Sequence, residues 1–207
     1  MSTLSVNNIT TQTGNTITVP SGKVLASPGL PIQTVFGQDE AGMSVNSSNV
    51  DLRFMNVPIT TKVANSTFLI RFHAAAYSHQ TTAGSYDVDF AAAMGFKTGT
   101  ASTTATDYTA ITTYSPTREN ITFANSTTAA FFASDTVGFS PNYAAHRPMA
   151  TLYNEDTFAP NQPAGTVINV ACFVRADNNT YWRVGSSPNG SSDSGMVSSL
   201  TITEFAP

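Results

Sequence analysis

Few side chains in this sequence are of kinds, and at spacings, that could do chemistry. Asp87 and Asp89 flank Val88, and on a strand they would share one face about 7 Å apart. Such a pair could hold Ca²⁺ or act as a glycosidase couple, with Glu155 as a further carboxylate. The ordinary reading is a solvated strand face. His73 and His79 flank Tyr77, and His146 lies far along the chain. The first two could meet across a turn as metal ligands, or a single one could meet its symmetry copies at a threefold axis. Ordinary hydrogen-bonded histidines are expected instead, so the expectation is no metal and no cofactor. Cys172 is the single cysteine. It sits in an apolar run, reads as a small buried hydrophobe rather than a nucleophile, and can form no intrachain disulfide. Tyr181, Trp182 and Arg183 follow an Asn-Asn-Thr turn. Trp182 could stack on a sugar if exposed, but as the only tryptophan it fits a core or intersubunit anchor better. Arg175 and Arg183 flank the turn and could pair with Asp177 or Glu204. Nucleotide-loop, serine-hydrolase and zinc-protease signatures do not occur, so no catalytic residue is assigned and the expectation is not an enzyme.

These groups need elements to position them. The chain has 207 residues, with 13 acidic and 9 basic side chains and a net charge of −4. Charged residues make up 11%, against roughly 25% in ordinary soluble domains. Ser, Thr and Asn take their place, and sequons such as those at Asn46, Asn65 and Asn125 follow from that composition. The 41% hydrophobic content is enough for a core. A pI near 5.1 and scattered basic residues exclude a phosphate-binding stripe, so no nucleic-acid partner is expected. No apolar run approaches the ~18 residues of a membrane span, and the start carries no secretory signal pattern.

The first 29 residues alternate single apolar side chains with polar ones. Val6, Ile9, Ile17, Val19, Val24 and Leu25 are too few to close a core in one chain, so either copies from neighbouring chains close it or the segment is a loose polar arm. Two prolines and a glycine within residues 27–31 break the pattern, which places a boundary between an extended arm at 1–29 and a domain at 30–207. The domain reads as all-β. Strands are expected at 32–36, 50–55, 59–63, 67–74, 86–96, 108–113, 147–153, 166–176, 180–184 and 197–205. The run at 167–175 is almost continuously apolar, as in a strand covered on both faces. Short helical turns are expected near 129–133 and 142–145, and loops at 99–107 and 188–195. Strands at this spacing indicate an antiparallel sandwich or barrel.

The opening LSVNNITTQTGNTITVPSGKVLASPG resembles the N-terminal module of small virion structural proteins of tailed bacteriophages, especially marine ones. The segments GTVINVACFVRADNNTYWRVGSS and SSLTITEFAP resemble the end of their C-terminal sandwich, a jelly roll of the tumour-necrosis-factor type. The resemblance covers both ends, about a third of the chain, and is weak over 77–161. It implies a virion-located homotrimer made in the bacterial cytoplasm. Its arm would contact other capsid or tail proteins, and its head would serve as a tail or head fibre able to contact a host glycan or receptor. Tyr181, Trp182 and Arg183 are then candidates for surface or intersubunit binding. The alternative task is a capsid decoration or cement protein, and a more distant one a carbohydrate-active enzyme using Asp87, Asp89 or Glu155. Neither membrane insertion nor a nucleic-acid partner is implied.

Overall fold

A computed structural model of the chain describes residues 27–39, 42–46, 50–78, 90–112, 121–124, 128–134, 149–176, 181–185 and 197–207. The arm residues Val6, Ile9, Ile17, Val19, Val24 and Leu25 lie outside them, as do Asp87, Asp89, His79, His146 and Asp177.

Thirteen strands follow in chain order: β1 Pro31–Asp39, β2 Met43–Asn46, β3 Leu52–Thr60, β4 Thr67–Ser78, β5 Phe90–Thr98, β6 Thr109–Ala110, β7 Ile121–Thr122, β8 Thr128–Ala129, β9 Phe132–Ser134, β10 Met149–Phe158, β11 Val167–Ala176, β12 Tyr181–Val184 and β13 Ser198–Phe205. One turn of 3₁₀ helix spans Ala105–Asp107. All pairings are antiparallel. The first sheet runs β1-β13-β4-β10, with β12 and β2 continuing beside the far end of β4. The second runs β3-β11-β5, with β6 and β9 on the two halves of β5's outer edge. With β2, β6, β7, β8 and β12 set aside, the remaining eight strands, renumbered in chain order, run 1-8-3-6 and 2-7-4-5. That interleaving of early and late strands is a jelly roll, two Greek keys folded into a sandwich.

Period-two patterning drives this. In β4 the side chains of Phe68, Ile70, Phe72 and Ala74 point inward and are fully buried, while Arg71 and His73 point out. In β13 Ser198, Leu200, Ile202 and Glu204 are buried and the alternate residues are half-exposed. The inner faces meet in one core with Ile168, Val170, Cys172 and Val174 of β11 and Phe90, Ala92 and Met94 of β5.

β11 is buried along most of its length on both faces, as its nearly continuous apolar run requires. The reason is a second layer. Residues 99–112 and 121–124 lie over the outside of the second sheet and lay Tyr108, Ile121 and Phe123 on Ala93, Ala171 and Phe173. Tyr108 and Phe123 both meet the Phe173 ring edge to face. A polar seam holds this layer down. Asn169 Nδ2 donates to the Gly99 carbonyl at 2.6 Å and Asn56 Nδ2 to Asn169 Oδ1 at 3.0 Å. The Tyr108 hydroxyl accepts from the Ser102 amide at 3.1 Å.

Four expectations need correction. The strand expected at 108–113 is, among the described residues, only Thr109–Ala110, because β5 pairs with it only at Gly95 and Phe96. The strands expected at 50–55 and 59–63 are a single strand, β3, running through Pro58. β3 pairs with β11 on one side only, and an edge strand tolerates a residue that cannot donate. The helical turn expected near 129–133 is instead β8 and β9. Backbone pairing of 132–134 with 90–92 of β5 outweighs the local helical preference of the alanines there. The last strand before the long apolar one extends to Phe158 rather than stopping at 153; its polar outer residues had hidden it.

Candidate functional site: an uncovered sheet face

The two sheets differ on their outsides. The second is roofed by its own chain, whereas among the described residues no segment lies over the first. Its outward side chains form rows across four strands. Thr34, Thr203, Leu69 and Thr157 make one; Phe36, Thr201, Arg71 and Glu155 the next; Gln38, Ser199, His73 and Tyr153 the third. Neighbours within a row stand one strand spacing apart, close enough to touch. Two large side chains protrude: Phe36 is 59% exposed and Tyr153 57%.

The charge on these rows cancels. Arg71 Nε donates to Glu155 Oε2 at 2.7 Å, and the Tyr153 hydroxyl donates to the same oxygen at 3.0 Å. Donation from Arg71, then from Tyr153, holds the Glu155 carboxyl below its ordinary range. The hydrogen bond to Glu155 raises the Tyr153 phenol and the Arg71 guanidinium in turn. Glu155 is thus an exposed, ionised, partnered carboxylate. A general acid needs the opposite environment, burial that keeps the proton on. Thr34 Oγ1 and Thr203 Oγ1 lie 3.1 Å apart, so the hydroxyl rows also bond among themselves.

The other sequence candidates fall elsewhere. Trp182 is 3% exposed and faces inward. Its ring stacks on Phe90 with centroids 4.8 Å apart at 28°. It is an anchor of its own chain's core, and offers no face to a sugar or a second subunit. Arg183 lies on the other side of β12 and donates to the Tyr77 hydroxyl at 3.4 Å. Tyr181 pairs with Asn46 at the outer end of the same strand. His73 sits exposed in the third row. Cys172 is fully buried, and burial pushes its thiol far above the ordinary range. Among the described residues no group of three His, Cys, Asp or Glu side chains gathers to hold a metal ion.

Arg175 approaches Asp51, with 3.9 Å between Nη1 and Oδ1, while Asp177, one of the two acidic partners expected for the arginines, lies outside the described residues. Among the described residues Glu204 meets no arginine. Its buried carboxylate accepts from the amides of Lys62 at 2.9 Å and Val63 at 3.1 Å and from Ser66 Oγ at 2.7 Å, and Gln33 Nε2 also donates to it. It ties β13 to β1 and to the turn between β3 and β4. Sequence reasoning missed this site. The one available signal was an acidic residue at an inward position of an alternating strand.

No protein-family model matches the chain, and no curated protein matches its sequence. Among solved structures it is similar to one described as the structure of infectious bursal disease virus, Gx strain. The identity is 10% and the TM-score 0.39, over 87% of this chain and 37% of that one. It is also similar to the crystal structure of the infectious bursal disease virus VP2 subviral particle, at 13% identity and a TM-score of 0.25, over 93% of this chain and 46% of that one. The chain spans less than half the length of either. Likenesses this distant carry no argument about what the chain does.

Proposed function

We propose that the chain is a structural protein of a bacteriophage virion and assembles as a homotrimer through the open face of the β1-β13-β4-β10 sheet. The observation that carries the assembly reading is the contrast between the sheets. One outer face is sealed by the chain's own aromatic layer; the other carries exposed Phe36 and Tyr153. A face that meets copies of itself must not repel itself. Here the Arg71 and Glu155 charges are already neutralised on the same surface, so like-charge contact between copies is avoided. Four strands of this length present roughly 500 Å² of flat sheet. A stable interface buries ~800 Å² per partner and a trimer gives each chain two neighbours, so this face supplies only part of the contact. The virion part rests on the resemblance of both chain ends to small phage virion proteins, and a scaffold of hydroxyl-rich strands suits a particle that must persist.

Light scattering on the full chain tests the assembly. The expected mass is three times 21.8 kDa, and the double substitution Phe36→Glu, Tyr153→Glu is expected to give a β-rich monomer. A monomeric wild type would sink the trimer, and a trimeric double variant would move the interface off this face. Peptide mass spectrometry on purified phage particles tests the location; a particle without the chain overturns the virion reading.

A further inference from the structure

We propose that a cleft at the far end of β5 is a saccharide-binding site. The cleft has a volume of about 380 Å³ and is lined by Phe96, Lys97, Thr98, Asp107, Thr109, Pro160 and Gln162. Three separate segments build it: the end of β5, the 3₁₀ turn leading into β6, and the connection between β10 and β11.

The lining selects the ligand class. Lys97 and Asp107 make no ion pair or side-chain hydrogen bond with any described residue, so an ammonium and a carboxylate both face the cleft with free bonding capacity. Their charges sum to zero, which disfavours a phosphate. A single carboxylate is a poor cage for a divalent cation, which takes six or more oxygens. A lipid would require an apolar wall, and this wall is mostly polar. A sugar fits the inventory. Each hydroxyl donates and accepts at once, so it can bridge a carboxylate and an ammonium, with Thr98, Thr109 and Gln162 as further partners. The apolar lining from Phe96 and Pro160 is small, so bonds to the sugar hydroxyls carry the recognition.

The cleft is also held in shape before any ligand arrives. Phe96 stacks on Phe158 at 5.0 Å and 23°, and Phe158 on Phe68 at 5.3 Å and 24°. Gln162 Nε2 donates to the Pro160 carbonyl at 2.9 Å, leaving Oε1 towards further partners. Asn161 between them has φ of 53°, the left-handed conformation that asparagine tolerates and that turns the loop back on itself. The Asp107 amide donates to the Thr104 carbonyl at 3.2 Å and fixes the turn carrying the carboxylate. Shape fixed in advance lowers the ordering cost of binding. One chain builds the whole cleft, so this inference stands apart from the assembly reading.

Saturation-transfer NMR on the full chain tests it, with lactose, cellobiose and di-N-acetylchitobiose as probes at about 10 mM, the range of weak single-site binding. Transfer to at least one probe is expected, weakened about tenfold or more in both Asp107→Asn and Lys97→Met and unchanged in Ser44→Ala on the exposed side of β2. Circular dichroism checks that each variant is folded. No transfer from any of the three probes would overturn the proposal. So would transfer that survives both cleft substitutions.

Discussion

Gly95 and Phe123 contend for the same space: a β-carbon on Gly95 would lie 2.5 Å from Phe123 Cε1 and 3.0 Å from Tyr108 Cβ. The second layer reaches the outside of the second sheet only because β5 presents Ala91, Ala93 and Gly95 there. The small residues of β5 are therefore a bed for large ones that arrive later in the chain.

Gly95→Ala is expected to lose about 1–3 kcal/mol, the usual range for overpacking. Phe123 must move, and its edge contact with Phe173 goes with it. Urea unfolding checks this. The combination of Gly95→Ala with Phe123→Leu should recover part of the loss, since the shorter side chain frees the space. A variant with wild-type stability would show that the layer yields without penalty.

Glu204→Gln should remove about 1–3 kcal/mol. One amide oxygen at the Oε1 position must then serve Lys62, Val63 and Ser66 without the carboxylate charge, and the new NH₂ group faces Gln33 Nε2, donor against donor. Ser66→Ala, which deletes a single donor, should lose about 1 kcal/mol. Amide exchange at Lys62 and Val63 should quicken in the Glu204 variant first. Slow exchange there would mean that another acceptor holds the turn.

Asp51 predicts a pH effect. Burial raises its carboxyl above the ordinary 3.8, and the Thr122 amide and Arg175 only partly offset this. A carboxyl that holds its proton more tightly when folded contributes stability below its unfolded value. That contribution is lost as pH rises through the folded value. The wild type should lose stability relative to Asp51→Asn as pH climbs upward from 3.8. Denaturation midpoints measured in steps across that window check this, and parallel curves would show that Asp51 titrates as it does in the unfolded chain.

The strand framework was legible because alternation survives burial on one face. Phe68, Ile70 and Phe72 announce β4, and the nearly continuous apolar run at 167–175 announces a strand roofed on both sides. What the sequence hid were the elements whose neighbours decide them. β9 exists because β5 offers it a backbone edge. β3 passes through Pro58 because one of its sides has no strand to bond. The site readings divided along the same line. The apolar setting of Cys172 pointed to burial, and the residue is buried. Trp182 could be read as core or surface, since the side of β12 it takes depends on the pairings with β2 and β4. The cleft and the Glu204 cage were invisible: each joins residues remote in the chain, and neither has a spacing to read.

The placement of β13 sets an order in time. It lies between β1 and β4, and the Gln33–Glu204 bond joins positions 171 residues apart. Until residues 198–205 leave the ribosome, β1 has no partner in its sheet and β4 keeps one long edge open. The nascent chain must carry those edges unpaired while the residues between β4 and β13 are made. Sparse charge leaves little repulsion to keep neighbouring nascent chains apart, so the open edges of β1 and β4 can meet those of another chain before β13 arrives.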